Sequence, residues 1–302
     1  MVRDTDTLDT LTEKVELATI LGTFQASLTD LKGLRKKWLD NIVDEALLGV
    51  SLTGIMDNVY TNGSGDLLEL ETTLDKLRKH AINTNKEWSD KLGINQAAAI
   101  TAVKPSGTVS QLVDSASGIH SRHNPYYIRR VRADAKDPLA LLMEDQGIPC
   151  EADIMKPDSV KVFSFPTKSP EEAICRTDRT AIEQLELWLT YQRHWCEHKP
   201  SVTISVKEKE WMEVGSWVYE HFDEVSGVSF LPFSEHNYQQ APYEDITEEQ
   251  YEELLKAMPE SIDWSLITQY ELEDMTKGTK ELACSAGGGV CEVVDLVSDE
   301  QE

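Results

Sequence analysis

The chain has 302 residues and a formal net charge of −25 at pH 7. Nucleic-acid backbones are bound by neutralising their phosphates with Lys and Arg, so this charge argues against a broad surface for DNA or RNA. No run of 18 apolar residues and no N-terminal signal-peptide core is present, so we expect a cytoplasmic protein without membrane contact. Five cysteines, odd in number and mostly scattered, fit a reducing compartment better than a disulfide framework.

Apolar periodicity predicts helices through most of the first 93 residues. The first is expected over residues 6–28, with Asp6 or Thr7 available as its N-cap. Its apolar residues near one face are Leu8, Leu11, Val15, Ala18 and Leu21. A second helix is expected over 31–45, and a third over 66–92 ends at Gly93. Between these two, the sequence L-L-G-V-S-L-T-G-I-M is too apolar and glycine-interrupted for a surface helix, which predicts a buried strand and a turn.

The stretch that follows organises the rest of the chain. Residues 97–103 are small and apolar over the length of a strand, and Lys104 to Ser110 then carry the residue types of a phosphate-binding turn. Proline ends the strand, glycine lets the backbone approach a ligand, and hydroxyls, one lysine and backbone N–H groups can bind an anion. This candidate turn consists of Pro105, Ser106, Gly107, Thr108, Val109 and Ser110. Taken alone, the same residues also fit an ordinary strand exit.

A basic and aromatic segment lies just downstream of the candidate turn. It runs from Ser121 to Arg132 and contains four arginines, one histidine and two tyrosines in an otherwise acidic chain. These residue types are suited to holding a phosphate ligand locally. The alternative is a strand whose arginines pair with the abundant acidic residues, and the sequence leaves both interpretations open.

The second half of the chain alternates helices with strands. The pair Asp137-Pro138 predicts the start of a short helix, and residues 169–172 carry a cap, a proline at the first helical position and a capping-box glutamate. A helix over 180–197 has a broad apolar stripe, which favours core positions for Trp188 and Trp195. Further helices are predicted over 208–222 and 247–258, and strands over 159–165, 201–206 and 227–232. This alternation indicates an α/β fold.

From residue 276 onward the sequence loses its periodicity, which predicts a flexible tail. Cys284 and Cys291 are separated by six residues, and three consecutive glycines among them permit the tight reversal that a disulfide needs. Such a pair is suited to moving and exchanging electrons; two incidental cysteines in a disordered terminus are the alternative. A zinc site would need two further ligands at similar spacing, and no Cys or His lies nearby. The other cysteines, interpreted as residues without redox roles, are Cys150, Cys175 and Cys196.

An ordered set of motifs resembles one enzyme family. The set comprises P-S-G-T-V-S, S-G-I-H-S-R-H-N-P-Y-Y-I-R-R-V-R, W-C-E-H-K-P-S-V-T-I-S-V, G-V-S-F-L-P with Q-A-P-Y after it, and the glycine-rich cysteine pair. Together these segments resemble adenosylcobalamin-dependent (class II) ribonucleotide reductase of the ribonucleoside-triphosphate reductase type. The resemblance covers essentially the whole chain and corresponds to the C-terminal portion of the family.

The resemblance implies a fold, a cofactor and a substrate site. Residues 1–275 would form the C-terminal portion of the family's ten-stranded α/β barrel and supply its later strands, and residues 276–302 would form a flexible redox tail. The candidate turn from Pro105 to Ser110 would hold the phosphates of a ribonucleoside triphosphate substrate. Adenosylcobalamin would be the cofactor and would supply the radical by cobalt–carbon homolysis.

The resemblance also implies partners. Cys284 and Cys291 match the C-terminal shuttle pair, which reduces the active-site disulfide by thiolate exchange and is re-reduced by thioredoxin. The family's radical cysteine belongs to an Asn-Pro-Cys motif, which is absent here because Asn124-Pro125 is followed by Tyr126. The chain is therefore expected to need an N-terminal part of the same reductase. The alternatives are an inactive truncated remnant, a non-catalytic nucleotide-binding fragment, and an independent thiol oxidoreductase that uses the tail pair.

Overall fold

The computed structural model of the protein describes residues 1–107, 109–233 and 238–272. The chain divides into two compact units, each assembled from two separate segments. Unit 1 comprises Met1–Pro125 and Lys168–His236, and unit 2 comprises Tyr126–Thr167 and Asn237–Glu302. The predicted boundary between residues 275 and 276, and the predicted tail with Cys284 and Cys291, lie outside the described residues.

Helices and strands alternate along the described residues. The α-helices are α1 (Leu8–Ala26), α2 (Lys36–Glu45), α3 (Leu67–Leu92), α4 (Val109–Leu112), α5 (Pro138–Asp145), α6 (Ala181–His194), α7 (Trp211–Glu220), α8 (Glu248–Ala257) and α9 (Ile267–Glu271). The strands are β1 (Val50–Ser51), β2 (Thr101–Ala102), β3 (Tyr126–Asp134), β4 (Cys150–Ala152), β5 (Val160–Lys168), β6 (Ser201–Val206), β7 (Gly227–Pro232) and β8 (Tyr243–Asp245). Within this described part of the chain, no helix combines the length and apolar character needed to cross a lipid bilayer.

Unit 1 is built on parallel strand pairs connected through helices. β1 pairs with β2 in parallel, with Val50 opposite Thr101. β6 pairs with β7 in parallel along the whole length of both strands, beginning with Ser201 opposite Gly227. Parallel strands need long crossover connections, and helices supply them here: α3 lies between β1 and β2 in the chain, and α7 lies between β6 and β7. The predicted α/β class is confirmed.

Aromatic side chains of α6 and its C-terminal end lie at the centre of the core of unit 1. Trp188, Tyr191 and Trp195 are fully buried, which confirms the prediction that both tryptophans are core residues. Trp195 Nε1 donates to the Ala102 carbonyl oxygen at 2.8 Å, and Tyr191 Oη donates to the Thr61 carbonyl oxygen at 2.7 Å. The first of these bonds ties the end of α6 to β2, the strand that leads into the candidate turn.

The buried face of α1 differs from the predicted one. Its buried positions are Leu11, Val15, Thr19 and Thr23. Leu8, Ala18 and Leu21, which were expected near the same buried face, are exposed. The two buried threonines are accommodated because each hydroxyl donates to the backbone carbonyl oxygen four residues earlier. The prediction was wrong because it counted only apolar residues, whereas a threonine bonded in this way can pack against α3.

Residues 169–172 do not start a helix, so that prediction is wrong. Cys175 instead forms an isolated parallel bridge with Arg122. Arg122 N donates to the Ile174 carbonyl oxygen and Arg176 N donates to the Arg122 carbonyl oxygen, both at 2.9 Å. Backbone groups need partners once they leave water. For Ser169, the expected cap, the backbone N–H donates to the Pro125 carbonyl oxygen at 2.9 Å and the hydroxyl donates to the Asn124 carbonyl oxygen at 2.7 Å, so the local cap and proline signature did not start a helix.

Local signals for helix ends are confirmed for α3, α5 and α8. Asp66 caps α3 by accepting a backbone N–H, and Gly93 closes the same helix with a φ of 68°. Asp137 and Thr247 cap α5 and α8 in the same way. Predicted lengths are less accurate, because α2 begins at Lys36 rather than five residues earlier, and the strand expected over 97–103 is confined to β2.

Unit 2 contains a four-stranded sheet in the order β4-β5-β3-β8. β4 and β5 are antiparallel, as are β3 and β8. The sheet and α5 share a small buried core that consists of Ala140, Met143, Ile148 and Phe163. Strand β3 carries most of the predicted basic segment, so three of its four arginines are side chains of a paired strand.

The substitution Gly227→Ala tests the close approach of the backbone before β6 to the start of β7. A Cβ at this position would lie 2.0 Å from the Pro200 carbonyl oxygen, a backbone atom that cannot move aside alone. We expect the free energy of unfolding to fall by roughly 2–4 kcal/mol, measured by urea denaturation. Gly215→Ala is the matched control: nothing lies within 4 Å of a Cβ there, and alanine should stabilise α7 by about 0.5–1 kcal/mol. Equal effects would contradict the contact.

Candidate functional site

The candidate turn follows directly from β2 and is held against β1. Lys104 N donates to Ser51 Oγ at 3.1 Å. Lys104 Nζ donates to the Lys199 carbonyl oxygen at 2.6 Å, so the ammonium group that was expected to serve a ligand is directed toward the segment before β6. Loops at the carboxyl ends of parallel strands are the usual ligand-binding position in α/β proteins. The turn occupies such a position.

Three hydroxyl groups from separate segments meet at the start of the candidate turn. This hydroxyl cluster consists of Thr53, Ser106 and Ser117. Ser106 Oγ lies 3.0 Å from Thr53 Oγ1 and donates to Ser117 Oγ at 3.2 Å. Ser106 N also donates to Ser117 Oγ, at 3.1 Å. Sequence reasoning identified Ser106 but missed its two partners, which lie 53 and 11 residues away in the chain and carry no local motif.

The remaining residues of the candidate turn divide between internal hydrogen bonds and exposed positions. Val109 N donates to the carbonyl oxygen three residues earlier at 3.1 Å, and Ser110 Oγ donates to the Gly107 carbonyl oxygen at 3.1 Å. Ser110 is fully buried, so its hydroxyl stabilises the turn instead of facing a ligand. Thr108 lies outside the described residues. The exposed residues of the turn are Pro105, Gly107 and Val109.

Two glycines shape the turn and its support. Gly118 has a φ of 56°, and a Cβ there would lie 2.7 Å from the Lys104 carbonyl oxygen, so only glycine allows this close packing. Gly118 N donates to Thr53 Oγ1 at 2.9 Å, which connects it to the hydroxyl cluster. Gly107 also has a positive φ, 54°, but nothing lies within 4 Å of a Cβ built on it. Its backbone is therefore open to a ligand from outside.

A buried ion pair anchors the segment that carries Ser117. Arg122 Nε donates to Asp57 Oδ1 at 2.7 Å and Arg122 Nη2 donates to Asp57 Oδ2 at 2.9 Å, between side chains that are 3% and 2% exposed. Asp57 Oδ2 also accepts from Ala116 N at 2.8 Å, and Arg122 Nη1 donates to Asp114 Oδ1 at 2.7 Å. Sequence reasoning did not find this pair, because its members are 65 residues apart and neither belongs to a motif for the other.

A cleft of about 330 Å³ lies beside this ion pair within unit 1. Its charged lining residues are Arg3, Arg122 and Lys168 together with Asp4, Asp57, Asp114 and Glu171. The acidic residues outnumber the basic ones, and Arg122 is already paired. Strong phosphate sites place ionised donors on the phosphate oxygens. The cleft is therefore a poorer phosphate site than the candidate turn.

Three of the four arginines of the basic segment pair with acidic residues, which favours the second of the two interpretations left open above. Arg122 pairs within unit 1 as described. In unit 2, Arg130 Nη1 lies 2.6 Å from Glu244 Oε2 and Arg132 Nε lies 2.7 Å from Asp153 Oδ2. Burial by itself would raise the pKa of Asp153, but hydrogen bonds from Arg132 and two backbone N–H groups lower it overall. These arginines stabilise the fold around β3.

His120 connects the hydroxyl cluster to β6. Its Nδ1 lies 2.9 Å from the Ser117 carbonyl oxygen, and its Nε2 accepts from Thr203 N at 3.0 Å. A ring nitrogen that accepts a backbone N–H carries no proton, so the proton of the neutral ring is on Nδ1 and is donated to Ser117. Burial lowers the pKa of His120, and the hydrogen bond with Ser117 offsets part of this effect. The neutral ring of His120 therefore bridges the Ser117 carbonyl oxygen and Thr203 N.

The described cysteines are poorly suited to redox chemistry. Cys150, Cys175 and Cys196 are free thiols. Burial raises the pKa of Cys150, that of Cys175 to about 11 and that of Cys196 to about 12. The thiolate is the nucleophile and the metal ligand, so these thiols are unreactive near neutral pH. No group of three or more His, Cys, Asp or Glu side chains within the described ranges could hold a metal ion.

The curated proteins and the solved structure that resemble this chain are named as the same kind of enzyme, although no family model matches the chain. The adenosylcobalamin-dependent ribonucleoside-triphosphate reductase of Euglena gracilis is 31% identical over 220 residues, which cover 72% of this chain and 30% of that protein. The enzyme of the same name from Lactobacillus delbrueckii subsp. bulgaricus is 30% identical over 232 residues, 68% of this chain and 31% of that protein. The crystal structure of a B12-dependent (class II) ribonucleotide reductase matches with a TM-score of 0.59 and 27% identity, covering 68% of this chain and 29% of that one.

The chain is a relative of the class II ribonucleotide reductases. The resemblance predicted from the sequence motifs is therefore confirmed over 68–72% of the chain, rather than essentially all of it. The fold class is also confirmed, because the matched reductase structure has the α/β barrel fold. The chain spans about 30% of the length of the curated reductases it matches.

In this reductase relative, the substitution Asp57→Asn tests the buried ion pair. It removes the charge that compensates Arg122, so we expect the free energy of unfolding to fall by roughly 3–5 kcal/mol in urea denaturation. Asp114→Asn is the matched control, because Asp114 contacts the same arginine with a side chain that is 66% exposed. A loss of less than about 1 kcal/mol is expected there. Equal losses for the two variants would show that burial does not determine the strength of these contacts.

Proposed function

We propose that the chain is part of an adenosylcobalamin-dependent ribonucleotide reductase that converts ribonucleoside triphosphates to 2'-deoxyribonucleotides. The observation that carries this proposal is the match to named ribonucleoside-triphosphate reductases at 30–31% identity over 68–72% of the chain. The match to a class II reductase structure supports it independently. We assign the activity to the whole reductase, because the chain spans only about 30% of its relatives.

We propose that the substrate phosphates bind at the candidate turn, Pro105 to Ser110. Three observations support this assignment: the turn follows a parallel strand, the backbone at Gly107 is open, and the Ser106 hydroxyl is half-buried in the hydroxyl cluster. Lys104 Nζ is engaged by the Lys199 carbonyl oxygen. Binding would therefore depend mainly on hydroxyl and backbone N–H donors, which form stronger hydrogen bonds with an ionised phosphate than with a neutral acceptor.

The cofactor of the whole reductase is proposed from the names of the relatives, which are adenosylcobalamin-dependent. The described residues do not by themselves fit this group. The cleft beside Arg122 is about 330 Å³, near the lower end of pockets for drug-sized ligands, and adenosylcobalamin is several times larger than such a ligand. We therefore assign no described residue to cofactor binding.

We propose that Cys284 and Cys291 form the dithiol that returns the active site to its reduced state. One thiolate would attack the active-site disulfide to give a mixed disulfide, and the second thiolate would resolve it. Two electrons pass to the active site, and the tail pair becomes a disulfide that the dithiol of thioredoxin reduces. The raised pKa values of Cys175 and Cys196 support this assignment, because they leave those thiols unsuited to the exchange.

We further propose that an N-terminal part of the same reductase completes the active site and supplies the radical cysteine. The length of the relatives supports a larger assembly, since this chain matches about 30% of each. The net charge of −25 supports a protein that does not bind nucleic acid directly. A cytoplasmic location with thioredoxin as reductant is part of the same proposal.

The substitution Ser106→Ala tests the phosphate assignment in the assembled reductase. Loss of a charge-assisted hydrogen bond should raise the apparent KM for the ribonucleoside triphosphate roughly 10- to 100-fold, measured by steady-state kinetics. Ser216→Ala is the matched control, because Ser216 is an exposed residue of α7 with one long contact to Glu220. It should leave KM unchanged. An unaltered KM for Ser106→Ala would move the phosphate site elsewhere.

Replacing Cys284 or Cys291 by serine tests the redox assignment. In the assembled reductase we expect a single turnover at the wild-type level, because the active-site dithiol starts reduced, and loss of multiple turnover with thioredoxin. Rapid-quench and steady-state product measurements separate the two. Cys150→Ser, a change at a described thiol with a raised pKa, should preserve both. Equal loss of single and multiple turnover in the tail variants would contradict a shuttle role.

A further inference from the structure

The Ser106 hydroxyl has an unusual set of neighbours for a ligand-binding group. Its oxygen lies within hydrogen-bond distance of two other hydroxyl oxygens, Thr53 Oγ1 at 3.0 Å and Ser117 Oγ at 3.2 Å. The backbone N–H of Ser106 is already donated to Ser117 Oγ. Any hydrogen bond that Ser106 itself donates to a phosphate must therefore come from its hydroxyl group.

Proton counting shows what the two neighbours can do for that hydroxyl. A hydroxyl group has one proton to donate and can accept two hydrogen bonds, and its proton rotates to suit the network. When Ser106 donates to Ser117, its proton is used inside the cluster. When Thr53 instead donates to Ser106 Oγ and the Ser106 proton turns away from Ser117, that proton is free to donate to a phosphate oxygen.

The surroundings of Thr53 permit this rearrangement. Thr53 Oγ1 donates to the Ala116 carbonyl oxygen at 3.1 Å, but the same carbonyl also accepts from Gly54 N at 2.8 Å and keeps a partner when the Thr53 proton turns away. Thr53 Oγ1 is held in place by Gly118 N, which donates to it at 2.9 Å. The oxygen is thus fixed while its proton can rotate.

Hydrogen bonds also hold Ser117 in place. Its carbonyl oxygen accepts from the neutral ring of His120 at 2.9 Å, and the other ring nitrogen is fixed on β6 through Thr203 N. Its hydroxyl oxygen accepts the Ser106 N–H. Both partners of Ser106 therefore occupy positions set by the backbone of other segments, as a preorganised ligand site requires.

We infer that Thr53 and Ser117 are positioning residues that orient the Ser106 hydroxyl as a hydrogen-bond donor to substrate phosphate. This inference rests on the proposed phosphate site and adds two residues outside the turn to it. Thr53 acts by donating to Ser106 Oγ, and Ser117 acts by accepting the Ser106 backbone N–H, which fixes the position of the residue. The contribution of Thr53 must then disappear when the Ser106 hydroxyl is removed.

The test measures binding of inorganic tripolyphosphate to the 302-residue chain by isothermal titration calorimetry. Thr53→Val, which keeps the shape but removes the hydroxyl, should weaken binding about tenfold, the effect of one charge-assisted hydrogen bond. Thr53→Ser should bind within about threefold of the wild type. The double variant Thr53→Val/Ser106→Ala should bind no more weakly than Ser106→Ala alone, because the two residues act as one unit.

The outcomes separate this inference from the proposed function. If the wild type binds tripolyphosphate and Thr53→Val binds equally well, the inference is overturned and the phosphate site stands. Additive losses in the double variant would also overturn it, since Thr53 would then act independently of Ser106. Failure of the wild type to bind would overturn the phosphate site and the inference together. Thr53→Ala provides the same cycle with Ser106→Ala if Thr53→Val unfolds, as judged by thermal denaturation.

Discussion

The buried ion pair between Arg122 and Asp57 is the interaction on which the surroundings of the candidate turn depend. Removing two charges from water costs several kcal/mol per ion, and this cost is offset only when the geometry is complete. Here both oxygens of the carboxylate have donors, two from Arg122 and one from Ala116 N. Any movement that separates these groups leaves a charge unpaired in the interior. The segments that carry Asp57, Ala116 and Arg122 are therefore held together.

The ion pair between Arg122 and Asp57 constrains the candidate turn through a short series of contacts. Ala116, fixed by Asp57, is followed by Ser117, whose hydroxyl accepts the Ser106 N–H, and by Gly118, which packs on the Lys104 carbonyl oxygen. The charges of Asp57 and Arg122 thus lie in the segments that support the turn, and the exposed turn itself offers mainly neutral hydrogen-bond donors. In a chain with a net charge of −25, the proposed phosphate binding would therefore depend on geometry more than on a positive field.

Sequence patterns succeeded where the deciding interaction lies within a few residues. The caps at Thr7 and Asp137, the glycine end of α3 and the two core tryptophans were predicted because each depends on neighbours in the same helix. Sequence patterns failed at residues 169–172, where Ser169 bonds to the distant segment at Pro125 instead of starting a helix. They also failed on α1, where two threonines bonded to backbone carbonyl oxygens are buried while Leu8 and Leu21 are exposed. In both cases a tertiary contact outweighed a local preference.

The sequence by itself determined the α/β class, most helix positions, the likeness to class II reductases and the location of the candidate turn. These follow from periodicity, cap residues and motifs, which are local properties of the chain. Only the tertiary structure decided that Thr53 and Ser117 meet Ser106, that Lys104 Nζ is directed toward Lys199, and that Arg122 pairs with Asp57. The partners of Ser106 and Arg122 lie up to 53 and 65 residues away, so no local pattern specifies them. Their meeting depends on the packing of β1, β2 and β6, which brings distant segments to one place.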